Sequence, residues 1–94
     1  MPTTFRAQMS VRGGRWRLYV VLLGTTERWP EFSFGRRSVP TLAERSRALK
    51  RLGFEPVEDG EWSWSEDSEI VGDPTTAVIL IATTQVRSRA GVDA

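Results

Sequence analysis

The sequence predicts an α+β fold, an antiparallel sheet of four to five strands with one helix packed on one face, in the order β-β-(β)-α-β-β with a short third strand. Three observations carry this. Alternating apolar and polar residues flank Gly13-Gly14, a capping box opens at Thr41, and residues 76–86 form a run rich in Val, Ile and Thr.

The first strand is read from Phe5, Ala7, Met9 and Val11, which alternate with Arg6, Gln8, Ser10 and Arg12, the period-2 pattern of a strand with one buried face. Gly13-Gly14 supplies the positive φ of a two-residue hairpin turn. Cross-strand partners then sum to 27, so Val11 faces Trp16, Met9 faces Leu18, Ala7 faces Val20 and Phe5 faces Leu22. Each pair is apolar, so the pattern of the second strand agrees with the register the turn imposes. Within residues 24–39, Trp29-Pro30 marks a bend, and Phe32 and Phe34 alternate around Ser33 as a short edge strand.

Thr41-Leu42-Ala43-Glu44 matches a capping box, which predicts a helix over residues 42–52 with Pro40 outside it. Leu42, Leu49 and Leu52, with Ala48 and Ser46, form its apolar stripe, and Gly53 supplies the left-handed residue that ends it. Beyond it, residues 54–57 read as extended and Glu58-Asp59-Gly60 as a turn, with Trp62 and Trp64 sharing one face of a second hairpin or bent strand. The acidic run of residues 65–74 reads as an exposed loop. Residues 76–86, apolar on both faces in the middle, read as a central strand, and residues 88–94 as a frayed tail. No linker divides residues 1–94, which read as one small domain.

The chain has no Cys and no His. That removes disulfides, thiolate metal sites and the commonest general base, leaving carboxylates, Lys50 or Tyr19 for any catalysis. The expectation is a chain without catalytic residue, metal or cofactor. The carboxylates of residues 58–73 match no calcium-loop spacing and read as solvated. Gly13-Gly14 precedes a strand, not a helix, and so does not form a phosphate loop. No apolar run approaches the ~20 residues of a membrane span, and the first residues lack a secretory pattern, so the expected setting is cytoplasmic with no membrane partner.

Charge is the most informative feature bearing on function. Residues 1–53 hold eleven Lys and Arg against three Asp and Glu, and residues 54–94 hold two against nine. The halves carry +8 and −7, which together give the chain's +1. Such asymmetry points to an anionic partner, to electrostatic self-association, or to neutralisation within the molecule. The hairpin register puts Arg6, Arg12, Arg15, Arg17 and Tyr19 on the face opposite the apolar one, and these residues with Trp29 are the candidate partner-binding set. Arg45, Arg47, Lys50 and Arg51 form a basic helix face, either solvated or able to contact phosphates. The tryptophans divide between core packing, expected of Trp16 and Trp64, and base stacking. A small non-catalytic interaction or regulatory accessory protein, with a protein partner or a second copy of itself, fits these features. The alternative is a nucleic-acid-binding accessory protein using the basic hairpin face.

A resemblance adds a label without an activity. Residues 16–22, Gly24-Thr25, Trp29-Pro30, residues 39–45, Leu52-Gly53-Phe54 and residues 61–64 resemble a family of small actinomycete proteins known only as a domain of unknown function. It implies no ligand and no catalytic residue. A shorter likeness of residues 18–21 and Trp29-Pro30-Glu31-Phe32 to the MbtH-like chaperones of peptide synthetases lacks that family's Pro-x-Gly-Trp and C-terminal Trp-Thr-Asp, and is set aside.

Overall fold

The computed structural model describes residues 3–57 and 61–89. Its elements are β1 (Thr4–Arg12), β2 (Arg15–Val21), β3 (Glu31–Ser33), α1 (Leu42–Arg51), β4 (Phe54–Pro56), β5 (Ser63–Ser68) and β6 (Val78–Ser88). One antiparallel sheet runs β3-β2-β1-β6-β4, with β5 also paired to β6, and curls as a half-barrel with one helix.

The first hairpin follows the predicted register, with Val11 opposite Trp16, Met9 opposite Leu18 and Ala7 opposite Val20. Gly13 at φ 58° and Gly14 at φ 74° make its turn, a conformation that penalises a Cβ. The short strand is present, pairing Phe32 with Leu18, and Val20 N–H and Phe34 N–H extend the ladder to Pro30 and Trp16 carbonyls. The run at residues 76–86 becomes β6, which lies inside the sheet between β1 and the edge strands.

The helix starts at the predicted box. Glu44 N–H donates to Thr41 Oγ1 at 3.1 Å, and Thr41 N–H donates to Glu44 Oε1 at 2.8 Å. Ala48 and Leu49 enter a core shared with Ala7, Met9, Trp16, Leu18, Val20, Ala82 and Val86, which fixes one sheet face as the helix side. Fully burying each large apolar side chain there contributes about 1.5–3 kcal/mol.

Several expectations are corrected. The acidic run from residue 65 is not loop at its start, because residues 63–68 pair with β6 from Ser63 opposite Thr83 to Ser68 opposite Val78. An edge strand tolerates such charge, since its side chains reach solvent while its backbone takes one ladder of hydrogen bonds. Phe54–Pro56 is a separate strand on the same edge of β6, so the chain ends β-β-β after the helix. Ser88 lies in β6 and Arg89 N–H donates to Gly53 carbonyl, so these two residues are held to the sheet, not frayed; the remainder of the expected tail, residues 90–94, and the turn at 58–60 lie outside the described residues.

The helix stripe also shifts. Leu42 is 63% exposed, whereas Arg45 is 7% exposed and faces inward. A cation tolerates this burial only with partners. Arg45 Nε donates to Pro40 carbonyl at 2.9 Å, and its guanidinium lies 5.1 Å from the Trp62 ring and 5.6 Å from that of Trp64. Arg45 therefore ties the helix to β5 and leaves the basic face that the sequence suggested for phosphate. Trp16 is buried, and Trp64, edge-on to it at 5.9 Å, sits on the same side but remains 45% exposed at the sheet edge.

Candidate functional site

The helix-free face of the sheet is built by strand alternation. On β1 it carries Arg6, Gln8, Ser10 and Arg12; on β2, Arg15, Arg17, Tyr19 and Val21; on β6, Ile79, Ile81, Thr83 and Gln85; on β5, Ser63, Ser65 and Asp67. All five hairpin residues proposed from sequence thus share one face. Trp29 joins them from the loop after β2, stacked on Tyr19 with ring centroids 5.9 Å apart and planes 21° apart. Its indole N–H donates to Leu22 carbonyl at 2.8 Å, which holds the ring against the sheet. Gln8 Nε2 donates to Tyr19 Oη at 2.6 Å, so the tyrosine keeps its own proton to offer a ligand.

The face reads as rows across the strands. Tyr19, Gln8, Thr83 and Ser63 form a neutral row, and Arg17, Ser10, Ile81 and Ser65 form the next. Carrying the β1–β6 register two residues further gives Arg15, Arg12, Ile79 and Asp67. Positive charge therefore lies on β1 and β2, and negative charge at both edges, Asp67 on β5 and Glu31 opposite Tyr19 on β3. The opposite charge of the two halves of the chain is displayed across one surface.

Two adjoining troughs occupy this face. The larger, ≈ 700 Å³, is lined by Arg6, Gln8, Gln85, Thr83, Ser63, Ser65, Glu61 and Asp67. The smaller, ≈ 280 Å³, is lined by Arg12, Arg17, Tyr19, Ser10 and Ile79 together with Glu31, Asp67 and Glu69. Gln8, Ile81 and Asp67 belong to both. Arg15 stands beside the smaller trough, directly across from Arg12. Like charges directly opposite on a sheet are destabilising. Among the described residues the ion pairs within 4.0 Å are Arg36–Glu44 and Arg87–Glu55, so neither the arginines nor the carboxylates of the troughs have such a partner.

The residues that sequence reasoning missed are Glu31, Asp67 and Glu69. Gln8 and Ser10 follow from the hairpin register already derived. Asp67 and Glu69 required the pairing of β5 with β6, which no short turn announces. The one strongly perturbed carboxyl lies elsewhere: Glu44 is held at about 2, from an ordinary 4.5, first by its hydrogen bond with Arg36 and then by Thr41 N–H. Among the described residues no group of three or more His, Cys, Asp or Glu could hold a metal ion, and no helix is long and apolar enough to cross a membrane. Mixed charge, amides, hydroxyls and one stacked aromatic pair equip the face for polar recognition.

Residues 3–94 match the model of a family of unknown function, DUF6303. The chain belongs to that family. No curated protein and no solved structure matches it.

Proposed function

As a member of that family the chain inherits no assigned activity, and we propose from its geometry that it is a non-catalytic interaction module whose helix-free face docks a protein partner. One observation carries the reading: Arg12 and Arg17 share a trough with Asp67 and Glu69, beside Tyr19, and none has an ion-pair partner among the described residues. A peptide surface presents both signs of charge together with hydrogen-bonding groups, and complementary charge gives it orientation and on-rate.

Four arginines and a stacked Tyr19–Trp29 pair favour a second reading, nucleic-acid binding. The carboxylates on the same face weigh against it, because a phosphate chain over Arg12 and Arg17 would also run past Glu31, Asp67 and Glu69.

The test is a photo-reactive phenylalanine analogue placed at Tyr19, with a control at Lys50 on the exposed helix surface, irradiated in cells. A covalent protein adduct from position 19 and none from position 50 is the expected result. Adducts from neither position, or with nucleic acid alone, would overturn the reading.

A further inference from the structure

The order of charge across the helix-free face makes it complementary to itself. The β1–β6 ladder ends at Ser10 opposite Ile81, and one row beyond it Arg12, with Arg15 across the hairpin, comes level with Ile79 and its partner Asp67. This row runs positive, positive, neutral, negative over β2, β1, β6 and β5, with Arg12, Ile79 and Asp67 lining one trough. Turned 180° about an axis lying parallel to the strands between β1 and β6, the same row runs in reverse at the same height. Stacked face to face, Arg15 of one copy lies over Asp67 of the other, and Arg12 over Ile79. The two-fold repeats both contacts. Arg17, one row along, comes over Ser65, and Glu69, which lines the trough with Arg12, adds to the negative side.

From this we infer that the partner docked on the helix-free face is a second copy of the chain, in a two-fold sandwich of two sheets. The inference rests on reading that face as a docking surface. An isologous contact requires one patch that fits its own rotated image, which this row provides and a uniformly basic face would not. Sheets pack about 10 Å apart with strands aligned to within about 30°, close enough for arginine side chains to reach opposing carboxylates. The pairing also eases the repulsion between Arg12 and Arg15, because Arg15 gains a carboxylate opposite it.

Size sets the strength. Five strands at a spacing of about 4.8 Å and seven residues at about 3.4 Å span about 570 Å², short of the ~800 Å² per partner of a standard interface, and the curl of the sheet holds part of that span out of contact. Because that area is marginal and its opposite charges meet on the outer strands, Arg15 of β2 over Asp67 of β5, the dimer is reversible and weakens with salt.

Sedimentation equilibrium on three chains tests this, with circular dichroism confirming that each is folded. Wild type is expected to approach twice its 10.6 kDa at about 50 mM salt and to dissociate at about 1 M. The triple variant Arg12→Glu, Arg15→Glu, Arg17→Glu and the double variant Asp67→Lys, Glu69→Lys should each remain monomeric, and mixing the two should restore a dimer, because both charge contacts are again opposite. A wild type that stays monomeric at every concentration, variants that still dimerise, or a mixture that does not pair would overturn the inference. The docking reading falls separately: a Tyr19 photo-adduct with a different protein would keep it while removing self-pairing.

Discussion

Arg45 is the cation whose place in the structure departs furthest from a surface role, and Arg45→Ala tests that place. Three contacts are removed. The bond from Nε to Pro40 carbonyl, at 2.9 Å, is charge-assisted and is worth about 1.5–3 kcal/mol. The two indole faces, at 5.1 and 5.6 Å, contribute about 0.5–1 kcal/mol each, at the low end of the range because Trp64 is partly solvated. The sum is about 3 kcal/mol, against a total stability of about 5–14 kcal/mol for a domain of this size. Thermal unfolding followed by circular dichroism should show a Tm lowered by about 12–24 °C. Arg45→Lys keeps the charge but loses Nε and the flat stacking surface, and should fall roughly midway. A change below about 0.5 kcal/mol in Arg45→Ala, the size seen at ordinary surface positions, would refute the stacking account and return Arg45 to the solvent-exposed basic face.

Other consequences are as direct. Among the described residues Thr84 Oγ1 is buried without a hydrogen-bond partner, so Thr84→Val, nearly isosteric, should raise stability by about 1 kcal/mol in urea unfolding; a loss of similar size would mean that the hydroxyl is satisfied. Glu44 has its folded pKa depressed to about 2, so its contribution to stability is full above the ordinary 4.5 and is lost as pH falls through about 2. Melting curves of wild type and Glu44→Gln should therefore converge as pH drops through that window, and a constant gap would contradict the Arg36–Glu44 pairing.

The parts of the fold legible in the sequence are those set by local chemistry. Gly13-Gly14 fixes a register that the alternation of Phe5 to Val11 and Trp16 to Leu22 confirms independently, and Thr41 and Glu44 cap the helix through bonds between residues three apart. The same register put Arg6, Arg12, Arg15, Arg17 and Tyr19 on one face, as found. Non-local pairing was not legible. Nothing near residue 9 announces that Met9 will lie opposite Ala82, and the carboxylates of β5 resemble a loop because an edge strand needs only one partner. Asp67 was therefore missed, although it gives the arginine face its opposite pole. Arg45 was misplaced for a related reason, since helical spacing marks it as polar while the indoles that accept it come from residues 62 and 64.

The most direct measurement of the central claim, that opposite charge gathered on the helix-free face makes it the contact surface, is a series of amide NMR spectra over rising protein concentration at low salt. Shifts confined to the helix-free face, at Gln8, Ser10, Arg12, Arg15, Arg17, Asp67, Ile79 and Ile81, and reversed by salt, are the predicted result. Shifts on Leu42–Arg51, or none on that sheet face, would contradict it.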